Sequence, residues 1–279
     1  MKTPRLLPKE LQGRPFTVAD AALAGVSLKR LRHGSLLRLG KGIRSGRPTA
    51  ELPLSVRVRP FIEVNERCAA SHLTAAELLV LPRRQQKGKP EMFHVIRPEG
   101  SAHLNRPHII VHRMKLFSDE VTTVDGLPVT TPERTWLDMA ELLSVDELVA
   151  MGDSCVRVPR EAFGEGDTPL CTLADLQRMI DRHKGKRGLR KAKEAISLIR
   201  VGSDSPQETF IRLAIVRAGL PEPELNVPII DADGVRHHEP DLSYRKYRIG
   251  IEYEGEHHGG EQQIVRDIAR SERYEALGW

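Results

Sequence analysis

The sequence predicts an α+β protein of several domains, and three observations carry that expectation. The chain has 279 residues, room for two or three domains at roughly 100–200 residues each. Runs of helical period with capping signals alternate with short runs of period two. Charge falls into three unlike blocks: 13 Lys and Arg against 4 Asp and Glu in residues 1–65, 21 against 19 in 66–200, and 9 against 15 in 201–279. Hydrophobic residues make up 39% and charged residues 29%, with a mean hydropathy of −0.37. That is the balance of a soluble globular protein and speaks against a membrane protein or a disordered polymer. No apolar stretch follows Met1-Lys2-Thr3-Pro4-Arg5, so no secretory signal is visible. Cys68, Cys155 and Cys171 are far apart and form no CxxC pair, which argues against a disulfide framework or zinc ribbon and fits a reducing cytoplasm.

The head, residues 1–65, reads as helix, turn, helix and ribbon. Thr17 to Ala24 is a short Ala-rich helix that Gly25 ends, and Ser27 can cap a second helix over Leu28 to Arg32. Leu36 to Leu39 and Ile43-Arg44 flank Gly40-Lys41-Gly42 as a tight hairpin. A helix pair followed by a basic ribbon is what a winged helix-turn-helix requires, with one helix for the major groove and a wing for the backbone. Lys29, Arg30, Arg32, Arg38, Lys41 and Arg44 are the candidate DNA contacts, the basic excess being the footprint of a polyanion partner. A helical hairpin with a solvated basic face is the other reading.

Residues 66–200 read as an α+β connecting module. Ser71 to Val80 is a helix stopped before Pro82, Met92 to Arg97 and His108 to Arg113 are strands, and Thr131-Pro132-Glu133 opens a helix with Pro at its first position. His72, His94, His103, His108 and His112 fall here, and strand surface is favoured over metal ligation because no carboxylate partner or HExxH spacing accompanies them. Residues 178–193 carry eight Lys and Arg and one acid, read either as a second phosphate-contacting patch or as a solvated face. No P-loop or strand-borne GxGxxG occurs, which disfavours nucleotide hydrolysis and dinucleotide redox chemistry.

In the tail, residues 201–279, Ser205-Pro206-Gln207-Glu208 opens a helix with cap, N1 proline and N3 glutamate, running through Phe210, Ile211, Leu213 and Val216 to Gly219. Val227 to Ile230 reads as a strand, Asp231 to Gly234 as a turn, and Tyr247 to Glu254 as a second strand. Period two puts Ile249, Ile251 and Tyr253 on one face of that strand and Gly250, Glu252 and Glu254 on the other. Two carboxylates on one face beside a small residue, with Asp241 on a neighbouring strand, make an oxygen-rich set of the kind that Mg²⁺ or Mn²⁺ prefers. Glu208 reads equally as a capping-box residue, and His257-His258 before two glycines equally as a plain loop.

Pro240-Asp241 followed by Glu252-Tyr253-Glu254 resembles the PD-(D/E)xK nuclease signature. The wider string, Ser203 to Glu208, Asp241-Leu242, Ile251 to Gly255, His257-His258 and Asp267 with Arg270, is similar to a family akin to very-short-patch repair endonucleases. Residues 1–65 resemble the winged-helix head of abortive-infection-type antitoxins, often found in front of such a domain. The resemblance implies a restriction-endonuclease-like α/β core with a mixed sheet over residues 201–279. It makes Asp241 and Glu252 metal ligands for Mg²⁺ or Mn²⁺ and Glu254 a third acid. Glu208 becomes an auxiliary ligand through a water, His257 or His258 the proton-transfer group, and Arg270 a phosphate contact. A divalent ion would neutralise the phosphodiester and activate water. The sequence departs from the pattern in two ways: Glu254 stands where Lys is usual, and the chain ends at Leu277-Gly278-Trp279, short of a further strand.

The expected function is therefore a cytoplasmic, metal-dependent DNA endonuclease positioned on double-stranded DNA by its head. No membrane association is expected, and the middle module is expected to serve a homodimer or a protein partner. The alternative is a non-catalytic DNA-binding transcriptional regulator or antitoxin with a degenerate nuclease-like domain, which the two departures favour.

Overall fold

A computed structural model of the chain describes residues 6–65, 67–83, 91–101, 105–159, 168–231, 233–237, 239–253 and 272–279. The protein is α+β and divides into two compact units, Met1–Leu142 with Arg178–Leu189, and Leu143–Gln177 with Arg190–Trp279.

The first unit begins with β1 (Pro15–Thr17), α1 (Val18–Leu23), α2 (Leu28–Leu31), β2 (Leu37–Gly40) and β3 (Ile43–Ser45). Thr17 closes a capping box on α1: its hydroxyl accepts from Asp20 N at 2.9 Å, and Thr17 N donates to Asp20 Oδ2 at 2.8 Å, satisfying two donors the helix leaves orphaned. Gly25 leaves α1 at φ +72°, a conformation that costs an L-residue a Cβ clash. Ser27 caps α2 by accepting from Arg30 N. The strands pair antiparallel in the order β1-β3-β2. Leu11, Phe16, Ala21, Leu31 and Leu36 close a small core beneath them.

A second, larger core joins Ile43 of β3 to Val58, Phe61 and Ile62 of α3 (Leu54–Glu63), and to Val95 and Val129. The latter two lie in a five-stranded mixed sheet of β4 (Ala69–Ala70), β5 (Phe93–Pro98), β6 (Ile109–Met114), β7 (Val121–Val124) and β8 (Leu127–Thr130). The strand order is β6-β5-β4-β8-β7, with β5–β6 and β4–β8 parallel and the other pairs antiparallel. β7 and β8 turn through Asp125-Gly126, both at positive φ, the two-residue turn whose twist matches a hairpin. α4 (His72–Leu78) lies against β5, β8 and α5 (Pro132–Met139). Pro132 occupies the first turn of α5, where its missing N–H is harmless.

The second unit holds α6 (Val145–Val156), the start of α7 (Leu173–Arg182), nearly all of α8 (Leu189–Leu198), α9 (Pro206–Arg217), β9 (Glu224–Leu225), β10 (Leu242–Tyr244) and β11 (Ile249–Ile251). The end of α7 and the first residue of α8 belong to the first unit. α9 packs on α6, and the strands form an antiparallel sheet in the order β11-β10-β9. Two local expectations are corrected here. Val227 to Ile230 is not a strand; pairing is at Glu224–Leu225, because Asn226 takes a positive φ and ties its amide to Gly202 O and Glu208 Oε2. The second tail strand begins at Ile249 and not Tyr247, because Arg245–Tyr247 form a 3₁₀ turn that Arg248 leaves at φ +54°. α9 buries Glu208, Thr209, Arg212 and Leu213, while Phe210 is 39% exposed.

Candidate functional site

Of the basic head residues, Lys29 is the second residue of α2 and Arg32 caps its end, both exposed; Arg38 on β2 and Lys41 at the hairpin tip are exposed as well. Four cations thus line one helix turn and the ribbon after it. Arg30 is half-buried and donates to Ser35 Oγ at 3.0 Å. Arg44 pairs in register with Arg38 across the hairpin but turns inward, donating to Leu31 O at 3.2 Å and Ile43 O at 2.9 Å. It stitches α2 to the ribbon, a different task from the phosphate contact expected of it. Arg106 donates to Lys41 O and so holds the hairpin tip.

Beneath the mixed sheet the first unit carries a dense buried polar network. β5 and β6 run in parallel register with Ile96 opposite His112, so His94 and His112 share one face a diagonal step apart. His72 follows β4 at the first position of α4, with φ +48° and a fully buried side chain. The three imidazoles meet: His94 Nδ1 is 3.0 Å from His112 Nε2, and the His72 and His112 rings stack with centroids 3.5 Å apart. Burial pushes His94 and His112 down to about 4, and His72 well below the ordinary imidazole value, so all three are neutral at pH 7.

Next to them, Arg134 on α5 donates through Nε to Asp138 Oδ1 at 3.0 Å, through one terminal nitrogen to Lys115 O at 3.0 Å, and to Glu120 Oε2. Lys186 Nζ reaches Asp138 Oδ1 at 2.9 Å, while His183 Nε2 lies 2.7 Å from Glu120 Oε1 and Arg182 donates to Glu120 and Asp119. Burial alone would raise both carboxyls. For Asp138 the neighbouring cations Arg134 and Lys186 prevail, and for Glu120 the hydrogen bond from His183 and the charge of Arg134, so each sits below its ordinary value. Arg182 and Lys186 come from the basic stretch 178–193, which is therefore not simply a solvated face or a phosphate patch: part of it supplies countercharge to the interior.

The tail acids are placed as follows. Glu208 is buried at N3 of α9 and accepts from Asp204 N at 2.8 Å and Asn226 Nδ2 at 2.9 Å, while its own N donates to the N-cap Ser205 Oγ at 3.2 Å. Asp241 Oδ2 accepts from Tyr253 N at 2.7 Å, across the β10–β11 pair. Glu252 Oε1 accepts from Tyr274 Oη at 2.8 Å. The space beside Gly250 is taken by Pro240, whose Cβ lies 3.3 Å from where a glycine Cβ would be. Among the described residues, the set of three side chains that brings metal-ligating atoms within 4.8 Å of one another is His72, His94 and His112, and Glu208, Asp241 and Glu252 do not form one. Glu254, His257, His258 and Arg270 lie outside the described residues. The described tail thus offers two of the three acids a Mg²⁺ or Mn²⁺ site was expected to use, each already engaged by a protein donor.

Residues 69–153 match the family model described as AbiEi antitoxin C-terminal domain. This segment holds His72, His94, His112, Glu120, Arg134 and Asp138. Two uncharacterized proteins of Mycobacterium tuberculosis, MT2308 of strain CDC 1551 and Rv2248 of strain H37Rv, are each 28% identical over 157 residues, or 56% of this chain. The match spans 54% of those proteins, so the chain covers about half the length of the curated relatives it matches. The crystal structure of the RV2827C protein from Mycobacterium tuberculosis is similar at a TM-score of 0.43 and 16% identity, over 66% of this chain and 71% of that one. No helix among the described residues is long and apolar enough to cross a membrane.

Sequence reasoning missed the histidine cluster and its charged neighbours. The three histidines lie on separate elements, 18 to 40 positions apart in the chain, and no local pattern joins them. A signal was present in part: His94 stands in the run Phe93-His94-Val95-Ile96 and His112 follows Ile109-Ile110-Val111, apolar neighbours that suit a neutral imidazole better than a solvated one.

Proposed function

We propose that the protein is a non-catalytic, DNA-binding regulator of antitoxin type, in which the head binds duplex DNA and the module around residues 69–153 serves a protein partner. One observation carries the reading: an exposed cationic helix turn and ribbon precede, with α3 between, a segment that matches an antitoxin domain. The sheet order β1-β3-β2, with α1 and α2 inserted between β1 and β2, supports a winged helix-turn-helix head. In that arrangement α2 is the recognition helix and β2–β3 the wing. Lys29 and Arg32 would meet the groove and its edges, and Arg38 and Lys41 the adjacent phosphates. Phosphate contacts set affinity and salt dependence, and base contacts from α2 set specificity.

The test is fluorescence anisotropy of labelled duplexes across a salt series, with a parallel supercoiled-plasmid incubation in Mg²⁺ and in Mn²⁺. Steeply salt-sensitive binding, lost in a combined K29A/R32A/R38A/K41A variant and accompanied by intact plasmid, is the expected result. Absence of binding would overturn the DNA-binding reading. Metal-dependent nicking that disappears in Asp241→Ala and Glu252→Ala would overturn the non-catalytic one and restore the tail as a nuclease.

A further inference from the structure

We propose that His72, His94 and His112 form a binding site for a divalent late first-row transition ion of the zinc type. The site lies in the first unit, and it is independent of the DNA-binding reading.

The donor set is the first argument. Three imidazole nitrogens are a zinc-type ligand set and a poor one for Mg²⁺ or Ca²⁺, which take oxygen. The ligand atoms lie within 4.8 Å of one another, and one pair, His94 Nδ1 and His112 Nε2, is already at 3.0 Å. Tetrahedral ligands at ~2.0–2.1 Å from zinc stand about 3.4 Å apart, a separation that lies inside the 4.8 Å limit of this set. Ion binding requires the stacked His72 and His112 rings, 3.5 Å apart, to turn their nitrogens toward a common point.

An orphaned atom is the second. His72 is fully buried; its Nδ1 lies 3.0 Å from Ser71 Oγ, while its Nε2 has no hydrogen-bond partner among the described residues. A buried nitrogen without a partner is expensive in a native interior and calls for an explanation. The Ser71 contact is of the kind that fixes a ligand histidine by its other nitrogen. His72 also holds a positive φ without being glycine, a strain that persists where the surroundings impose it.

Charge is the third. His72 and His94 are buried and His112 is half-buried, so an ion held there would need countercharge close by. Asp138 acts electrostatically on both His72 and His112, and its Oδ2 is buried with no hydrogen-bond partner among the described residues while Oδ1 takes both Arg134 and Lys186. A carboxylate oxygen near an imidazole cluster offsets the charge an ion would bring. Three protein ligands leave a fourth position of a tetrahedral ion for water or a partner's side chain. Such an ion would clamp the start of α4 to β5 and β6.

The test uses the untagged full chain, freed of metal by a chelator, and titrated with Co²⁺ by absorption and with Zn²⁺ by calorimetry. One equivalent of each is expected, with Co²⁺ ligand-field bands that Zn²⁺ bleaches and a melting temperature that climbs with ion concentration. His94→Gln and His112→Gln are each expected to weaken binding by at least about tenfold, the lower end of what even outer-shell changes cost, and the double variant to abolish it. Circular dichroism checks that the variants fold. The parent protein provides a check that needs no variant, since bound Co²⁺ would shift the imidazole resonances of these three histidines. No saturable binding, binding that survives in the double variant, or shifts confined to other histidines would overturn the proposal.

Discussion

Arg134 donates from Nε to Asp138 Oδ1 at 3.0 Å, one helical turn apart on α5, with both side chains completely shielded from solvent. The same guanidinium meets Glu120 and Lys115 O, so a single planar fork serves three acceptors from two segments. Removing one member of such a buried set leaves charge without compensation. Arg134→Met is expected to cost about 3–5 kcal/mol, and Arg134→Lys less, since an ammonium keeps the charge but cannot span all three acceptors. Urea unfolding monitored by fluorescence of the buried Trp136 would measure it; a parent-like midpoint for Arg134→Met would show the network to be energetically idle.

Acid should weaken the metal-free protein in two steps. The folded values of His94 and His112 lie near 4, below an unfolded value of about 6.5. Between those limits the unfolded chain binds protons that the native one does not. Stability is therefore complete above about pH 6.5 and falls as pH drops toward 4, by on the order of 2–4 kcal/mol from pH 7 to 5. Glu120 and Asp138 are depressed, so their contribution is present above the ordinary carboxylate range and goes as pH falls through their folded values. Unfolding midpoints in chelator at about pH 7.5, 6 and 5 should trace the first step. A His94→Gln/His112→Gln protein should show a flatter profile, and an equally steep one would assign the acid sensitivity elsewhere.

The head separates contact from scaffold. Lys29, Arg32, Arg38 and Lys41 are exposed, whereas Arg44 is spent on backbone carbonyls. Each alanine substitution among the first four should lower the salt slope of DNA binding by about 0.9 for every phosphate that is no longer neutralised, with stability unchanged within about 0.5 kcal/mol. Arg44→Ala should do the reverse, lowering the melting temperature while leaving the slope near the parent value. A changed slope at unchanged stability for Arg44→Ala would place its guanidinium on the phosphates after all.

Gly188 and Gly185 offer a matched pair. Both hold a φ near +80°, but a Cβ on Gly188 would fall 2.4 Å from Ala140 C, while Gly185 has nothing within 4 Å. Gly185→Ala should cost about 1–2 kcal/mol, the ordinary penalty of a left-handed L-residue. Gly188→Ala should cost clearly more, because backbone must give way. Equal losses in thermal unfolding would mean that the segment carrying Gly188 moves aside without cost.

What the residues determined alone was local. Thr17-x-x-Asp20, Ser27 and Ser205-Pro206 state helix starts in their own chemistry, Gly25 states an end, and the Gly40-Lys41-Gly42 turn announces a hairpin, because each depends on partners within four residues. The Asp125-Gly126 turn and the Ser144-x-x-Glu147 capping box are signals of the same short range. Tertiary structure decided everything that depends on distance along the chain. Arg212 is buried on α9 because Asp153 and Glu222 supply its partners, while Phe210 stays 39% exposed. Lys186 and Arg182 turn from surface cations into countercharges because Asp138 and Glu120 lie within reach. His72, His94 and His112 become one cluster only when a strand end and two parallel strands bring them within a few ångströms. Burial then makes their shared state neutral, and no run of neighbouring residues can encode the dielectric in which a side chain will finally sit.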